Sequence, residues 1–75
     1  MLNKTKKLKP VHPGEVLREE FLRPMNRSSR ELAESLHVPI VVIDALLDCR
    51  ETATAELALR LSRYFGNSPQ FWRDL

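Results

Sequence analysis

The stretch that most constrains the fold covers residues 28–49, with the sequence SSRELAESLHVPIVVIDALLDC. It opens on Ser-x-x-Glu, a pattern typical of a helix N-terminus, because Ser28 and Glu31 can each satisfy an orphan backbone N–H group. Apolar residues then recur at helical spacing, break at His37 and Val38, and recur again. The pattern predicts two short helices joined by a tight turn, which is a helix-turn-helix.

The two helices of this motif have different faces. The first should bury Leu32, Ala33 and Leu36, and His37 should adopt a positive φ in the turn, where glycine is the least costly residue. The second helix should begin at Pro39 and run to about Asp48. Its inward face is expected to consist of Val38, Ile43, Leu46 and Leu47. Its outward face is expected to consist of Ile40, Val41, Asp44 and Ala45, with Val42 at the boundary.

One helix is predicted before the motif. It should begin at Pro13, in the sequence His-Pro-Gly-Glu, because proline is favoured at a first helical position. It should end before Pro24, since proline disfavours a helical conformation in the residue before it. Its apolar face is expected to consist of Val16, Leu17, Phe21 and Leu22.

Two more helices are predicted after the motif. Thr54 should cap a fourth helix that ends at Gly66 and buries one apolar face. The residues of that face are Leu57, Ala58, Leu61, Tyr64 and Phe65. Ser68 and Pro69 should begin a fifth helix. Its residues Phe71, Trp72 and Leu75 are expected to close the core, with the chain ending inside the helix. The prediction is therefore an all-α fold of five short helices.

Length and charge limit the class of protein. The 75 residues suffice for one domain, expected at residues 11–75 after a flexible basic arm at residues 1–10. All four lysines lie in that arm, whereas residues 10–75 hold eight arginines against ten acidic residues, a net charge of −2. The arm is either a solvated terminus or a phosphate contact. One cysteine and no long apolar run predict a cytoplasmic protein without a disulfide or a membrane contact.

No catalytic or cofactor-binding constellation is visible. Cys49 has no histidine near it in the sequence, and the pair Glu19 and Glu20 is expected to lie on a solvated helix face. His12 has no Cys, His or carboxylate at a metal-ligand spacing. With only two glycines, the chain has no glycine-rich phosphate loop. We therefore predict no enzyme, no cofactor and no metal site.

A helix-turn-helix has a mechanical meaning for DNA binding. Its first helix lies across the DNA backbone and its second enters the major groove. Arg27, Ser28, Ser29 and Arg30 suit phosphate contact at the start of the first helix. Base recognition usually uses Arg, Lys, Asn or Gln, whereas the outward face of the second helix is apolar and acidic.

Residues 11–75 resemble a known family. Three segments carry the resemblance, together with their spacing: HPGEVLREEFLRPM, SSRELAESLHVP and TAELALRLSRYFGNSPQFW. The chain resembles the HigA/VapI-type antitoxins, a branch of the Xre-like helix-turn-helix family. The resemblance implies a compact five-helix bundle of the lambda-repressor-like (Xre) type.

The resemblance also implies a function. It implies a homodimeric antitoxin that neutralises a HigB/RelE-like mRNA-cleaving toxin and represses its own operon by binding double-stranded operator DNA. By position, the DNA contacts of the family fall on Ser29, Arg30, Pro39, Ile40, Val41 and Asp44. The loop that usually has Asn-Gly-Lys-Arg has Asp48, Cys49, Arg50 and Glu51 here, so Arg50 is the phosphate contact that remains.

The apolar second helix of the motif, which is the third helix of the chain, leaves three possibilities open for Ile40, Val41 and Val42. They can contact DNA, lie in a partner or dimer interface, or join the core if the helix is rotated. Two functional hypotheses follow. One is a DNA-binding antitoxin and repressor, and the other is a protein-interaction module whose helix-turn-helix has lost sequence-specific DNA binding.

Overall fold

Five helices make up the part of the chain that the computed structural model describes, residues 12–75. The predicted arm, together with Val11, lies outside these residues. Helix α1 covers residues 13–25 in three consecutive segments, Pro13–Val16, Leu17–Leu22 and Arg23–Met25; α2 is Ser29–Leu36, α3 is Ile40–Leu47, α4 is Ala55–Phe65 and α5 is Pro69–Arg73. The described residues contain no strand, and the all-α prediction is confirmed.

The N-termini of four helices are capped by side chains. Ser28 Oγ accepts from the Glu31 N–H at 3.1 Å, and Glu31 Oε1 accepts from the Ser28 N–H at 2.9 Å, so the predicted capping box is confirmed. Thr54 and Ser68 cap α4 and α5 by accepting from the N–H groups of Leu57 and Phe71. His12 caps α1, because its Nδ1 accepts from the Gly14 N–H at 2.9 Å.

The C-termini of α1 to α4 share one geometry, a left-handed residue that reverses the chain. These residues are Asn26 (φ 55°), His37 (φ 62°), Cys49 (φ 61°) and Gly66 (φ 79°). After each of them, the next N–H returns to a carbonyl five residues earlier. Those bonds are Arg27 to Leu22, Val38 to Ala33, Arg50 to Ala45 and Asn67 to Ser62. This is the Schellman arrangement, and it confirms the predicted turn residue His37.

The core lies between the apolar faces of all five helices. Its large and fully buried side chains are Leu17, Leu32, Ile43, Leu46, Leu61 and Trp72. Phe21, Phe65 and Trp72 form an aromatic cluster that joins α1, α4 and α5, with the rings of Phe21 and Phe65 4.6 Å apart. Helical periodicity therefore identified the buried faces correctly for most positions.

The prediction that α1 ends before Pro24 is wrong. Residues Leu17–Leu22 form a π-helical segment, and the Arg23 N–H returns to the carbonyl of Arg18. Pro24 then lies in the first turn of the last α-helical segment, where its missing N–H group is not needed. The wider turn lets the helix continue to Met25.

Three further expectations are corrected at helix ends and edges. Pro39 is the N-cap of α3 and not its first residue, because its ψ of 144° is extended. Ile40 is partly buried and packs against the core, so it does not point fully outward. Phe71 and Leu75 remain exposed, and α5 ends at Arg73, so only Trp72 closes the core from this helix.

Helix α1 approaches α3 so closely that only a glycine fits at the contact. A Cβ atom added to Gly14 would overlap the carbonyl oxygen of Leu46 and lie 2.7 Å from its carbonyl carbon. The atoms it would meet belong to the backbone of α3, which cannot rotate away. Gly14 therefore sets the distance between the start of α1 and the end of α3.

Replacing this glycine should destabilise the fold. Gly14→Ala forces α1 away from α3, and such overpacking costs about 1–3 kcal/mol. Chemical denaturation with matched m-values measures the loss. Ser35→Ala, at an exposed position of α2, is the control and should change stability by less than about 0.5 kcal/mol. An unchanged midpoint for Gly14→Ala would contradict the close approach.

Replacing Cys49 should stabilise the fold. A non-glycine residue in the left-handed region carries a steric cost of about 1 kcal/mol, which Cys49→Gly removes. Thermal unfolding should then show a melting temperature higher by about 4–8 °C. Cys49→Ala removes the thiol but retains the strain, so it should melt with the parent protein. Equal gains in both variants would assign the effect to the thiol.

Candidate nucleic-acid interface

Two arginines on flanking helices hold the helix-turn-helix in place. Arg60 of α4 donates from Nη1 to the Leu36 carbonyl at 2.8 Å, at the end of α2. Arg18 of α1 donates from Nη1 to the Leu47 carbonyl at 2.8 Å, at the end of α3. Each cation satisfies a terminal carbonyl and lies at the negative end of a helix dipole. Helices α2 and α3 are thereby tied to α4 and α1.

The predicted phosphate contacts lie together at the start of α2. Ser28 is exposed, and because its Oγ accepts within the capping box, its hydroxyl hydrogen can still be donated. Among residues 12–75, the N–H groups of Ser29 and Arg30 have no acceptor. Arg30 is exposed beside them. Two N–H groups, a hydroxyl and a guanidinium therefore converge where an anion is favoured.

A groove next to Ser29 brings two further arginines, Arg18 and Arg23, beside the predicted phosphate contact Arg27. Its volume is about 360 Å³, and it is lined by Arg18, Leu22, Arg23, Asn26, Arg27, Ser29 and Leu47. The sequence pattern does not identify Arg18 and Arg23 as part of this site. Arg18 lies within the π-helical segment of α1 and Arg23 directly follows it, and no pattern in the sequence indicated this segment.

The predicted base-contacting residues of α3 differ in their exposure. Val41 is 66% exposed, the most open large apolar side chain in the described part of the chain. Pro39 is also exposed, whereas Ile40 and Asp44 are half-buried. The prominent side chain at the start of α3 is therefore an aliphatic one, and the only ionisable group on this face is a carboxylate.

The loop after α3 contributes little positive charge. Arg50 is exposed, but its Nη2 lies 3.5 Å from Oδ2 of Asp48, which offsets its charge. Beside this loop, a shallow groove of about 250 Å³ runs between α3 and the start of α4. Its lining is mostly apolar and includes Val41, Val42, Ala45, Leu57 and one acidic residue, Glu51. The α3 side of the motif is thus apolar and mildly acidic, in contrast to the α2 side.

Other kinds of site are not evident in the described region. Residues 12–75 contain no group of three or more His, Cys, Asp or Glu side chains placed to hold a metal ion. None of the helices in this region is both long and apolar enough to span a membrane. His12, which was considered as a ligand, caps α1 through its Nδ1.

Comparison with known proteins identifies the fold and the family. The solved structure of the Pseudomonas aeruginosa antitoxin HigA with the higBA promoter superposes with a TM-score of 0.85 at 39% identity, covering 88% of this chain and 72% of that one. Antitoxin HigA-1 of Vibrio cholerae is 38% identical over 99% of this chain and 69% of its own length. The chain belongs to the HigA family of antitoxins.

A further relative supports this assignment. Virulence-associated protein I of Dichelobacter nodosus is 46% identical over 65 residues, which are 87% of this chain and 60% of the relative. The chain thus spans about three fifths of the length of that relative. No protein-family model matches the chain.

The family assignment settles two predictions. The resemblance to HigA/VapI-type antitoxins is confirmed, and the helix-turn-helix fold agrees with the solved HigA structure. The two HigA relatives are antitoxins, which are not enzymes, in agreement with the prediction that the chain is not an enzyme.

Proposed function

We propose that this protein is a cytoplasmic antitoxin that binds the promoter DNA of its own operon as a homodimer and neutralises a HigB/RelE-like mRNA-cleaving toxin. The likeness to a HigA structure that contains promoter DNA carries this proposal. The donors at the start of α2 and the geometry of the α2–α3 pair give it a physical basis.

In the proposed complex, α2 contacts the DNA backbone. The N–H groups of Ser29 and Arg30 and the hydroxyl of Ser28 donate to phosphate oxygens, and Arg30 adds a positive charge. Arg50 is a weaker contributor because Asp48 competes for its guanidinium. Contacts of this type position the protein on DNA without selecting a sequence.

In the same complex, the start of α3 lies in the major groove. Pro39 is its N-cap and Ile40 its first residue, and Val41 is exposed enough to contact a thymine methyl group. Asp44 can accept a hydrogen bond from the N4 amino group of cytosine. Since α3 has no Arg, Lys, Asn or Gln, the protein should lack the strong bidentate contacts to guanine and adenine.

A homodimer should recognise a palindromic operator. The two α3 helices of such a dimer enter successive major grooves about 34 Å apart, so the half-sites are separated by one helical turn of DNA. A single copy contacts only one half-site, and its affinity should be much lower. Dimerisation is thus part of the proposed mechanism of repression.

DNA binding is tested with the region upstream of the operon. The protein should bind duplexes from this region more tightly than random duplexes of equal length, and log Kd should rise linearly with log salt. Arg30→Ala should weaken binding to both kinds of DNA and lower the salt slope by about 1. Fluorescence anisotropy at several salt concentrations measures both quantities.

Arg73→Ala is the charge-matched control, because Arg73 is exposed on α5, outside the helix-turn-helix. Its salt slope should stay close to that of the parent protein. Equal binding of promoter and random duplexes by the parent protein would refute operator recognition.

A second function is favoured by the exposed aliphatic surface of α3, defined here as Val41, Val42 and Ala45. It lines the groove beside α4, where Val41 is 66% exposed. Exposed apolar surface of this kind often forms protein contacts. Glu51 lines the same groove, and Glu56 stands at the start of α4. A basic partner therefore fits this surface better than an acidic one. A small basic RNA-cleaving toxin would be such a partner.

Val41→Arg separates the two functions. A guanidinium at this exposed position adds a contact to phosphate or guanine if α3 faces DNA, so DNA affinity should rise severalfold. If α3 instead binds the toxin, the interface desolvates the added guanidinium. Affinity for the toxin should then fall by about tenfold or more.

The partner for this test is the product of the reading frame beside this gene, which the proposal expects to be RelE-like, and calorimetry measures its affinity. Val41→Thr, which preserves the shape without adding charge, is the control. Unchanged toxin affinity in Val41→Arg would place the toxin elsewhere on the protein.

A further inference from the structure

We propose that Tyr64 is a positioning residue for DNA binding, which holds the guanidinium of Arg27 at the start of α2 as a further phosphate contact. This inference rests on the proposed DNA-binding function. It concerns two residues that lie 37 positions apart in the chain and meet through a hydrogen bond from Arg27 Nη1 to Tyr64 Oη.

The backbone of Arg27 is fixed at both ends. Asn26 before it adopts the left-handed conformation, and the Arg27 N–H donates to the Leu22 carbonyl at 2.9 Å. Ser28 after it is the N-cap of α2. The backbone of Arg27 is therefore fixed directly before the free N–H groups of α2. Only the rotamers of its side chain remain to be restricted when a ligand binds.

Tyr64 restrains the Arg27 side chain, and the Tyr64 ring is itself held in place by packing. The guanidinium carbon of Arg27 lies 5.9 Å from the centroid of the Tyr64 ring, while its Nη1 bonds to the hydroxyl. The Tyr64 ring packs edge-on against Phe65 at 4.9 Å, and Phe65 packs against Phe21 of α1 at 4.6 Å. The aromatic cluster thus fixes the position of the phenol.

The hydrogen bond to the Tyr64 phenol leaves the positive charge of Arg27 available for a phosphate. Within residues 12–75, four other arginines pair with carboxylates: Arg18, Arg23, Arg50 and Arg60. Arg27 instead bonds to a phenol, which orients the guanidinium without neutralising its charge. It lines the same groove as Ser29, so a phosphate at the start of α2 lies within its reach.

Arg27 can still donate to a phosphate while it is held. A guanidinium has five N–H donors, and the bond to Tyr64 uses one of them. Because Tyr64 restricts the rotamers before DNA arrives, less conformational entropy is lost on binding. Removing the hydroxyl should weaken DNA binding by about 3- to 10-fold, with the charge contact itself preserved.

The experiment compares Tyr64→Phe, Arg27→Ala and the double variant in anisotropy titrations on upstream DNA at several salt concentrations. Arg27→Ala should lower the salt slope by about 1, because one phosphate contact is lost. Tyr64→Phe should raise Kd by about 3- to 10-fold at an unchanged slope. In the Arg27→Ala background, Tyr64→Phe should have no further effect.

Two controls separate positioning from folding. Thermal unfolding should show that Tyr64→Phe retains the parent stability, since the ring and its packing are preserved. Arg73→Ala should leave the slope unchanged. If the parent protein binds DNA and Tyr64→Phe binds equally well, or if it weakens the Arg27→Ala variant to the same extent, the positioning role is wrong. If the parent protein binds no DNA, the proposed function fails and this inference fails with it.

Discussion

The contact between Gly14 and the backbone of Leu46 is the constraint on which the other helix positions depend. It brings the start of α1 against the end of α3, at a distance that no Cβ atom allows. The close approach places Arg18, one turn later, within reach of the Leu47 carbonyl. Arg60 makes the equivalent bond to the end of α2. The helix-turn-helix is therefore oriented by backbone contacts at its C-terminal ends, and its N-terminal ends remain free for a ligand.

Local chemistry made much of this fold predictable. A cap involves residues three or four positions apart, so Ser28 with Glu31, Thr54 and Ser68 identified helix starts correctly. The turn at His37 followed from the same kind of information. Periodicity identified the buried faces because each helix is amphipathic. Within residues 12–75, the number and order of the helices could therefore be predicted.

One error arose within α1, and the others arose where contacts between residues far apart in the sequence decide the outcome. The local preference of proline is to end a helix before Pro24. The π-helical turn before it removes the conflict between this proline and a helix that continues to Met25. Ile40 joins the core because of how α3 is rotated against its neighbours, which periodicity alone did not resolve. The pairs Arg60 with Leu36 and Arg27 with Tyr64 join residues 24 and 37 positions apart. The α2 part of the candidate site was predictable, but its supports were not.

The two arginine bonds at the ends of α2 and α3 also bear on how an operator would be selected in the proposed complex. Because α2 is tied to α4 and α3 is tied to α1, a change in the angle between the two helices would disturb one of these hydrogen bonds. The start of α3 offers mainly an aliphatic side chain and one carboxylate for base contacts. In the proposed complex the DNA must therefore adapt to the protein. Part of the sequence preference then reflects how readily an operator bends or narrows its grooves, at base pairs that the protein never contacts.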